Sequence, residues 1–160
     1  MKVSSRAHYG LRAMTELANG YGRGPLALSE IARVEGLPLA YLEQLVGELR
    51  RAGLVEGTRG LHGGYRLTRP PSSITVGQVV RVLEGPVAPV ECLAEDYHPG
   101  DCFREPECLS RSIWQQVQEA VNRVLDGTTL EDLVAGQRCT ATCCTGQQPN
   151  FVKVDWFSNA

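Results

Sequence analysis

Two amphipathic stretches separated by only a few residues, with a glycine-rich hairpin directly behind them, constrain this chain more than any other feature. Ser29 offers an N-cap to the first stretch, Ile31 and Ala32 point inward, and Gly36 stops it. Leu37-Pro38 opens the second, which carries Leu39, Leu42, Leu45 or Val46, and Leu49 at the three-and-four spacing of one buried face. Leu54 to Thr58 then reads as a strand, Gly60, Gly63 and Gly64 as a turn, and Tyr65 to Thr68 as the returning strand. A short turn between two helices presents the second to a DNA major groove. The hairpin behind it makes the arrangement a winged helix-turn-helix, mainly α with a small β-wing.

The flanking segments complete such a domain. Ala7, Leu11, Met14, Ala18 and Tyr21 trace one face of a first helix, with Ser4 or Ser5 as its cap and Gly20 to Pro25 as its end. Thr75 caps a further helix carrying Val76, Val79, Val80 and Leu83, which stops at Gly85-Pro86. The winged domain is therefore expected over residues 1–85. Residues 86–109 show no period and form a cysteine-bearing loop. Ser110 is expected to cap a long helix from about Arg111 to Leu125 with an apolar stripe of Ile113, Trp114, Val117, Ala120, Val121 and Val124. So far from the N-terminal core, that stripe reads either as packing beneath the wing domain or as a dimer seam, and the seam is favoured. A short helix over Leu130 to Val134 closes the unit 110–134. Residues 135–160 read as a disordered polar tail.

Charge and cysteine both change at mid-chain. The net charge of −2 over 160 residues averages two halves: ten bases against six acids in residues 1–70, and six bases against twelve acids beyond. A basic first half and an acidic second half suit nucleic-acid contact by the first. Apolar residues make up 42% and charged residues 21%, the balance of an ordinary folded domain. The N-terminus shows no apolar secretory segment, and no apolar run approaches the ~18 residues of a membrane helix. A cytoplasmic protein with no membrane partner is expected. All six cysteines lie in the acidic half, where a reducing compartment favours metal binding or redox sensing over structural disulfides.

The outer faces of the third helix offer Tyr41, Glu43, Gln44, Arg50 and Arg51, and the hairpin offers Arg59. Glutamine can pair with adenine and glutamate can accept from cytosine. An arginine on a slender loop suits the negative potential of a narrow minor groove. Cys92, Cys102 and Cys108 lack the CxxC spacing of a zinc ribbon and fall one short of a four-ligand site. They could hold an iron–sulfur cluster with a non-cysteine fourth ligand, the candidates being His8, His98 and carboxylates such as Asp101 and Glu107. No fixed base or oxyanion arrangement accompanies them, so an enzyme is not expected. Cys139, Cys143 and Cys144 read as incidental thiols of the tail.

Met1-Lys2-Val3-Ser4 with Tyr9 and Leu11 to Met14, then Tyr41 to Leu45, Leu49 to Val55, Arg59-Gly60, Gly63 to Tyr65 and Ile74 to Gly77, resemble the Rrf family of bacterial winged-helix transcriptional regulators. The resemblance covers residues 1 to about 134. It implies a homodimeric regulator, with a C-terminal helix crossing the dimer, acting on an approximately palindromic double-stranded operator. Tyr41, Glu43 and Gln44 match the family's recognition helix, and Arg59 its wing arginine. Cys92, Cys102 and Cys108 match the cysteines of the IscR/NsrR-like, cluster-binding branches, which argues against the cysteine-metabolism branch. The implied cofactor is a [2Fe–2S] or [4Fe–4S] cluster sensing redox, nitric oxide or iron–sulfur status. The alternative is a cluster-free regulator working as a thiol switch or through a protein partner. Three positions depart from the pattern. The spacing between the first two cysteines is longer, Arg111 replaces a ligand histidine, and Leu61-His62 replaces the usual Pro-Gly wing tip. In the nitric-oxide sensors the fourth ligand resembles an acidic residue at position 8 donated by the partner subunit; here that position is His8, an imidazole able to ligate iron.

Overall fold

A computed structural model of the chain describes residues 3–60 and 63–139, with side chains as far as residue 136. Among the described residues, six α-helices and one two-stranded sheet follow in the order α1 (Ser5–Asn19), α2 (Leu28–Glu35), α3 (Leu39–Arg51), β1 (Val55–Thr58), β2 (Gly64–Leu67), α4 (Val76–Glu84), α5 (Arg111–Gly127) and α6 (Leu130–Cys139). Ser4 caps α1 by accepting from the Ala7 N–H, as expected. Because the helix ends at Asn19, Tyr21 leaves the apolar face and is exposed. Met14, Leu42, Leu45, Leu49, Ile74 and Leu130 are fully buried and form the centre of one core.

Two caps differ from expectation. The Ala27 carbonyl accepts from Glu30 and Ile31, so α2 starts before Ser29, with Leu28 already buried and Ser29 exposed in its first turn. Ser110 precedes α5 with helical dihedrals, φ −87° and ψ −10°, and its hydroxyl caps nothing. An N-cap side chain reaches the first N–H groups only from an extended backbone, which Ser110 lacks. Thr75, by contrast, forms the full capping box with Gln78.

The wing pairs Val55 with Leu67 and Glu56 with Arg66 in an antiparallel register. Leu26 adds a one-residue bridge on the far side of β2, exchanging hydrogen bonds of 2.9 and 2.8 Å with Tyr65. Gly64 permits this approach, since a Cβ there would lie 2.3 Å from the Leu26 carbonyl oxygen.

The expected division of the C-terminal half is corrected at α6. Leu130 and Val134 enter the same core as α1, α3 and α4, and the helix runs to Cys139, into the segment expected as a polar tail. A β-bridge between Thr75 and Thr129 and the bond from Leu130 N–H to the Ile74 carbonyl bring the chain back to the first domain. Residues 140–160, with Cys143 and Cys144, and the wing-tip pair Leu61-His62 lie outside the described residues.

Candidate functional site

The turn between α2 and α3 is built around Gly36, whose φ of 65° is the left-handed conformation that glycine adopts without strain. Its N–H closes α2 on the Ala32 carbonyl, and Pro38 sets the extended entry to α3. Glu43 and Gln44 lie exposed on the outer face of α3, and Arg50 and Arg51 in its last turn, where positive charge also complements the helix dipole. Arg59 stands exposed at the end of β1. None of these three arginines has a carboxylate partner among the described residues, whereas Arg6 is spent on Glu48 and Arg66 on Glu56. The wing and the outer face of α3 thus carry uncommitted positive charge, the property that phosphate contact requires.

Tyr41 is placed differently from the other candidates. It is only partly exposed, packs on the core, and meets the Tyr9 ring edge-on at 6.3 Å. Leu39, expected on the buried face, is exposed because it precedes the turn of α3 that meets the core.

Residues 86–109 fold around Glu105. Its carboxylate accepts from the Gly100 N–H at 3.0 Å, the Tyr97 hydroxyl at 2.8 Å, and the Arg111 guanidinium. These partners, led by the Gly100 amide, lower its pKa to about 2. Desolvation and the same carboxylate raise that of Tyr97. Tyr97 also accepts from the Cys102 N–H at 3.3 Å. Cys92 and Cys102 line one cleft of about 610 Å³ with Tyr97, Asp96 and Asp101. The Cys108 thiol faces Ser110 instead, 3.5 Å from its hydroxyl, and that hydrogen bond is the main cause lowering its pKa. All three cysteines are half-buried and free. His8 is exposed on the first turn of α1, and His98 lies 3.9 Å from Asp101 on the loop surface. Among the described residues, no three His, Cys, Asp or Glu side chains gather closely enough to share a metal ion. The loop's organisers, Tyr97 and Glu105, were not legible in the sequence, since neither falls in a periodic or spaced motif.

The loop is tied to α5 by Gln118, whose amide donates to the carbonyls of Val87 and Leu93. At its other end α5 is fixed to α4 through a bidentate Arg81–Asp126 pair at 2.7 and 2.6 Å. No residue of α5 is buried. Of its expected stripe, Ile113, Trp114 and Val124 stay exposed, while Leu125, outside that stripe, packs on the second cluster of the core. No helix among the described residues is long and apolar enough to cross a membrane.

A helix-turn-helix with a paired hairpin behind it, its reading face uncommitted and basic, defines the protein as a winged-helix DNA-binding transcriptional regulator. Residues 3–136 match the family described as Rrf2, iron-dependent transcriptional regulator. The chain belongs to the Rrf2 family. It is 48% identical over 135 residues to the transcriptional regulator CymR of Bacillus subtilis strain 168, covering 84% of this chain and 91% of that relative. The solved structure of CymR (YrzC), the global cysteine regulator of B. subtilis, superposes with a TM-score of 0.72 at 46% identity, over 85% of this chain and 98% of that one. IscR of T. potens superposes with a TM-score of 0.70 at 40% identity, over 91% and 94%. These relatives are regulators of transcription, not enzymes. The 48% match is to a cysteine regulator, the branch the three cysteines argued against, so overall identity and cysteine pattern point to different branches.

Proposed function

We propose that the protein is a cytoplasmic, homodimeric repressor of an approximately palindromic double-stranded operator, controlled by an iron–sulfur cluster on the loop 86–109. The observation that carries this reading is the placement of the three thiols. Cys92, Cys102 and Cys108 are half-buried and free on one loop, hung between the domain that holds α3 and a helix that leaves Ile113, Trp114 and Val124 exposed. Ile113, Val117, Ala120 and Val124 recur at steps of four and three, the seam of a helix pair, and a second copy would bury it.

The donor types fit an iron–sulfur group: three thiolates, neither locked in the core nor joined to each other. Arg111 offers no lone pair and is committed to Glu105. By the resemblance to the nitric-oxide sensors, the fourth donor would be His8 of the partner subunit, with His98, Asp101 and Glu107 as the alternatives on the loop itself. Such a group supplies reactivity toward oxygen or nitric oxide. The chain's own residues do the rest. Glu105 holds the segment between Gly100 and Arg111 in one conformation, and Gln118 makes α5 follow the segment Val87 to Leu93. In a dimer, a shift of α5 alters the separation of the two α3 helices, which must match half-sites about 34 Å apart. Arg50, Arg51 and Arg59 serve phosphate and minor-groove contact, with Tyr41, Glu43 and Gln44 along the reading helix. Anaerobic purification should give a coloured protein containing iron and sulfide, whose operator affinity changes on exposure to oxygen or nitric oxide. A colourless protein free of both after reconstitution refutes the cluster.

A second reading, a cluster-free thiol switch or partner-binding regulator, is favoured by the failure of three donors to gather among the described residues and by the name of the B. subtilis relative. Mass spectrometry of reversible disulfides among Cys92, Cys102 and Cys108 separates the two.

A further inference from the structure

The turn that joins α2 to α3 is gripped on both sides by one turn of α1. Glu35 is the last residue of α2, its side chain only 7% exposed, and its ion pair is with Arg12. Glu35 Oε2 has no hydrogen-bond partner among the described residues, so that buried oxygen depends on the arginine's charge. On the other side, Tyr41 lies in the first turn of α3 and takes the Tyr9 ring edge-on, at 6.3 Å with the planes 84° apart. Tyr9 and Arg12 are three residues apart on α1 and therefore share a face. They also touch each other, the Arg12 guanidinium lying 5.9 Å from the centre of the Tyr9 ring.

Gly36 sits between the two contacts in the left-handed conformation and is the point about which α3 can swing relative to α2. A swing that kept the Arg12–Glu35 pair would break the Tyr9–Tyr41 contact, and the reverse also holds. The core beneath fixes the distance of α3 from α1 through Leu42, Leu45 and Leu49; Leu45 and Leu49 lie further along the helix, so its first turn is held by Leu42 from the core and by the Tyr9 contact on Tyr41.

We infer that Tyr9 and Arg12 are positioning residues for sequence reading: together they hold the N-terminal turn of the recognition helix at the angle that fits a major groove. This rests on the reading of α3 as the groove-docking helix and adds the device that aims it. Neither residue needs to touch a base. Non-specific attraction, carried by Arg50, Arg51 and Arg59, does not depend on this angle, whereas base contact does.

The test uses the full chain and three variants, Tyr9→Leu, Tyr9→Phe and Arg12→Gln. A duplex is first enriched by the unmodified protein from a random pool. Affinity for it and for an unrelated duplex of equal length is then measured at one salt concentration. Tyr9→Leu and Arg12→Gln should lower the ratio of the two affinities about tenfold, the loss of one aromatic or ionic contact, and leave the unrelated duplex within about twofold. Hydrogen exchange gives a readout free of DNA. The amides of Leu37 and Tyr41, bonded to the Ala32 and Pro38 carbonyls, should exchange faster, while Val76 and Leu130 keep their protection. Tyr9→Phe, which keeps the ring, should restore both measures. Arg12 is half-exposed, so its variant carries the test should Tyr9→Leu fold poorly. An unchanged affinity ratio with wild-type exchange at the turn overturns the inference, as does a Phe variant as impaired as Leu. An unmodified protein that enriches no sequence overturns the groove-docking reading and the inference with it.

Discussion

Replacing Leu130 with alanine tests the assignment of α6 to the DNA-binding core. Leu130 is 0% exposed and shares the core cluster with Met14, Leu42 and Ile74, although it follows them by more than fifty residues. The substitution removes the equivalent of three methylene groups, about 2.4 kcal/mol of transfer free energy at ~0.8 kcal/mol each. The residual cavity brings the cost to about 3–4 kcal/mol, within the range of buried leucine truncations. At ~1.4 kcal/mol per decade, that lowers the folding equilibrium constant by more than 100-fold. Denaturant unfolding at a fixed protomer concentration, followed by far-ultraviolet circular dichroism, measures it, with the concentration held because the proposed dimer would add a concentration-dependent contribution. Val34→Ala is the control: that side chain is 53% exposed on α2, outside the proposed seam, and should cost under about 0.5 kcal/mol. A Leu130→Ala loss below about 1 kcal/mol would mean that α6 lies outside the cooperative unit, and the placement described above would be wrong.

Gly64→Ala should destabilise the wing by about 1–3 kcal/mol through loss of the two Leu26–Tyr65 hydrogen bonds, while Gly57→Ala, whose Cβ meets nothing nearer than 3.6 Å, should be tolerated; thermal unfolding of both checks this. Asp126 and Asp132 have pKa values lowered by Arg81 and by Thr129 respectively, so their stabilising contribution is complete above the ordinary aspartate range and is lost as pH falls through their folded values. Denaturation midpoints between pH 5 and pH 2 should therefore fall more steeply for the native chain than for a doubly substituted Asp126→Asn, Asp132→Asn chain. Arg59→Ala should weaken operator binding and reduce its salt slope by about 1, as read from titrations at several salt concentrations. Val117→Glu should shift the protein to monomers in sedimentation by placing a charge in the proposed seam.

The local parts of the fold were legible because their signals are local. The three-and-four spacing of Leu42, Leu45 and Leu49, the glycines of the hairpin, and Thr75 followed by Gln78 each sit within about two turns or one strand pair. What escaped was non-local. Leu26 pairs with Tyr65 through a single bridge, and one residue carries no period. Leu130 and Val134 are two apolar residues in a short helix, too few to reveal whether they face a core or solvent. The stripe on α5 was visible, but not that Ile113, Trp114 and Val124 stay exposed while Leu125, outside the stripe, packs on the core, since that contact is made with residues far away in the chain. At the candidate site, the cysteines stood out as residue types, and the departure at Arg111 was visible as well. That Arg111 is the ligand of a carboxylate hub, with Cys108 turned from Cys92 and Cys102, depends on Glu105 and Tyr97, ordinary loop residues whose convergence has no sequence signature.

The anchoring of α5 has a mechanical consequence. The helix is fastened at its C-terminal end, by Asp126 to Arg81 and by the strand-like return of Thr129, while the cysteine loop is attached at its start and, through Gln118, at its middle. Seventeen residues at 1.5 Å each separate the two ends by about 25 Å. The helix is thus a lever with its fulcrum on the DNA-binding domain and its load arm at the thiols. A displacement of about 1 Å at Arg111 turns it by only about 2° at that length. The side chains of its seam lie between fulcrum and load, so those nearest the loop travel furthest. Trp114 and Ile113 would register a change at the cysteines first, and Val124 would hardly move.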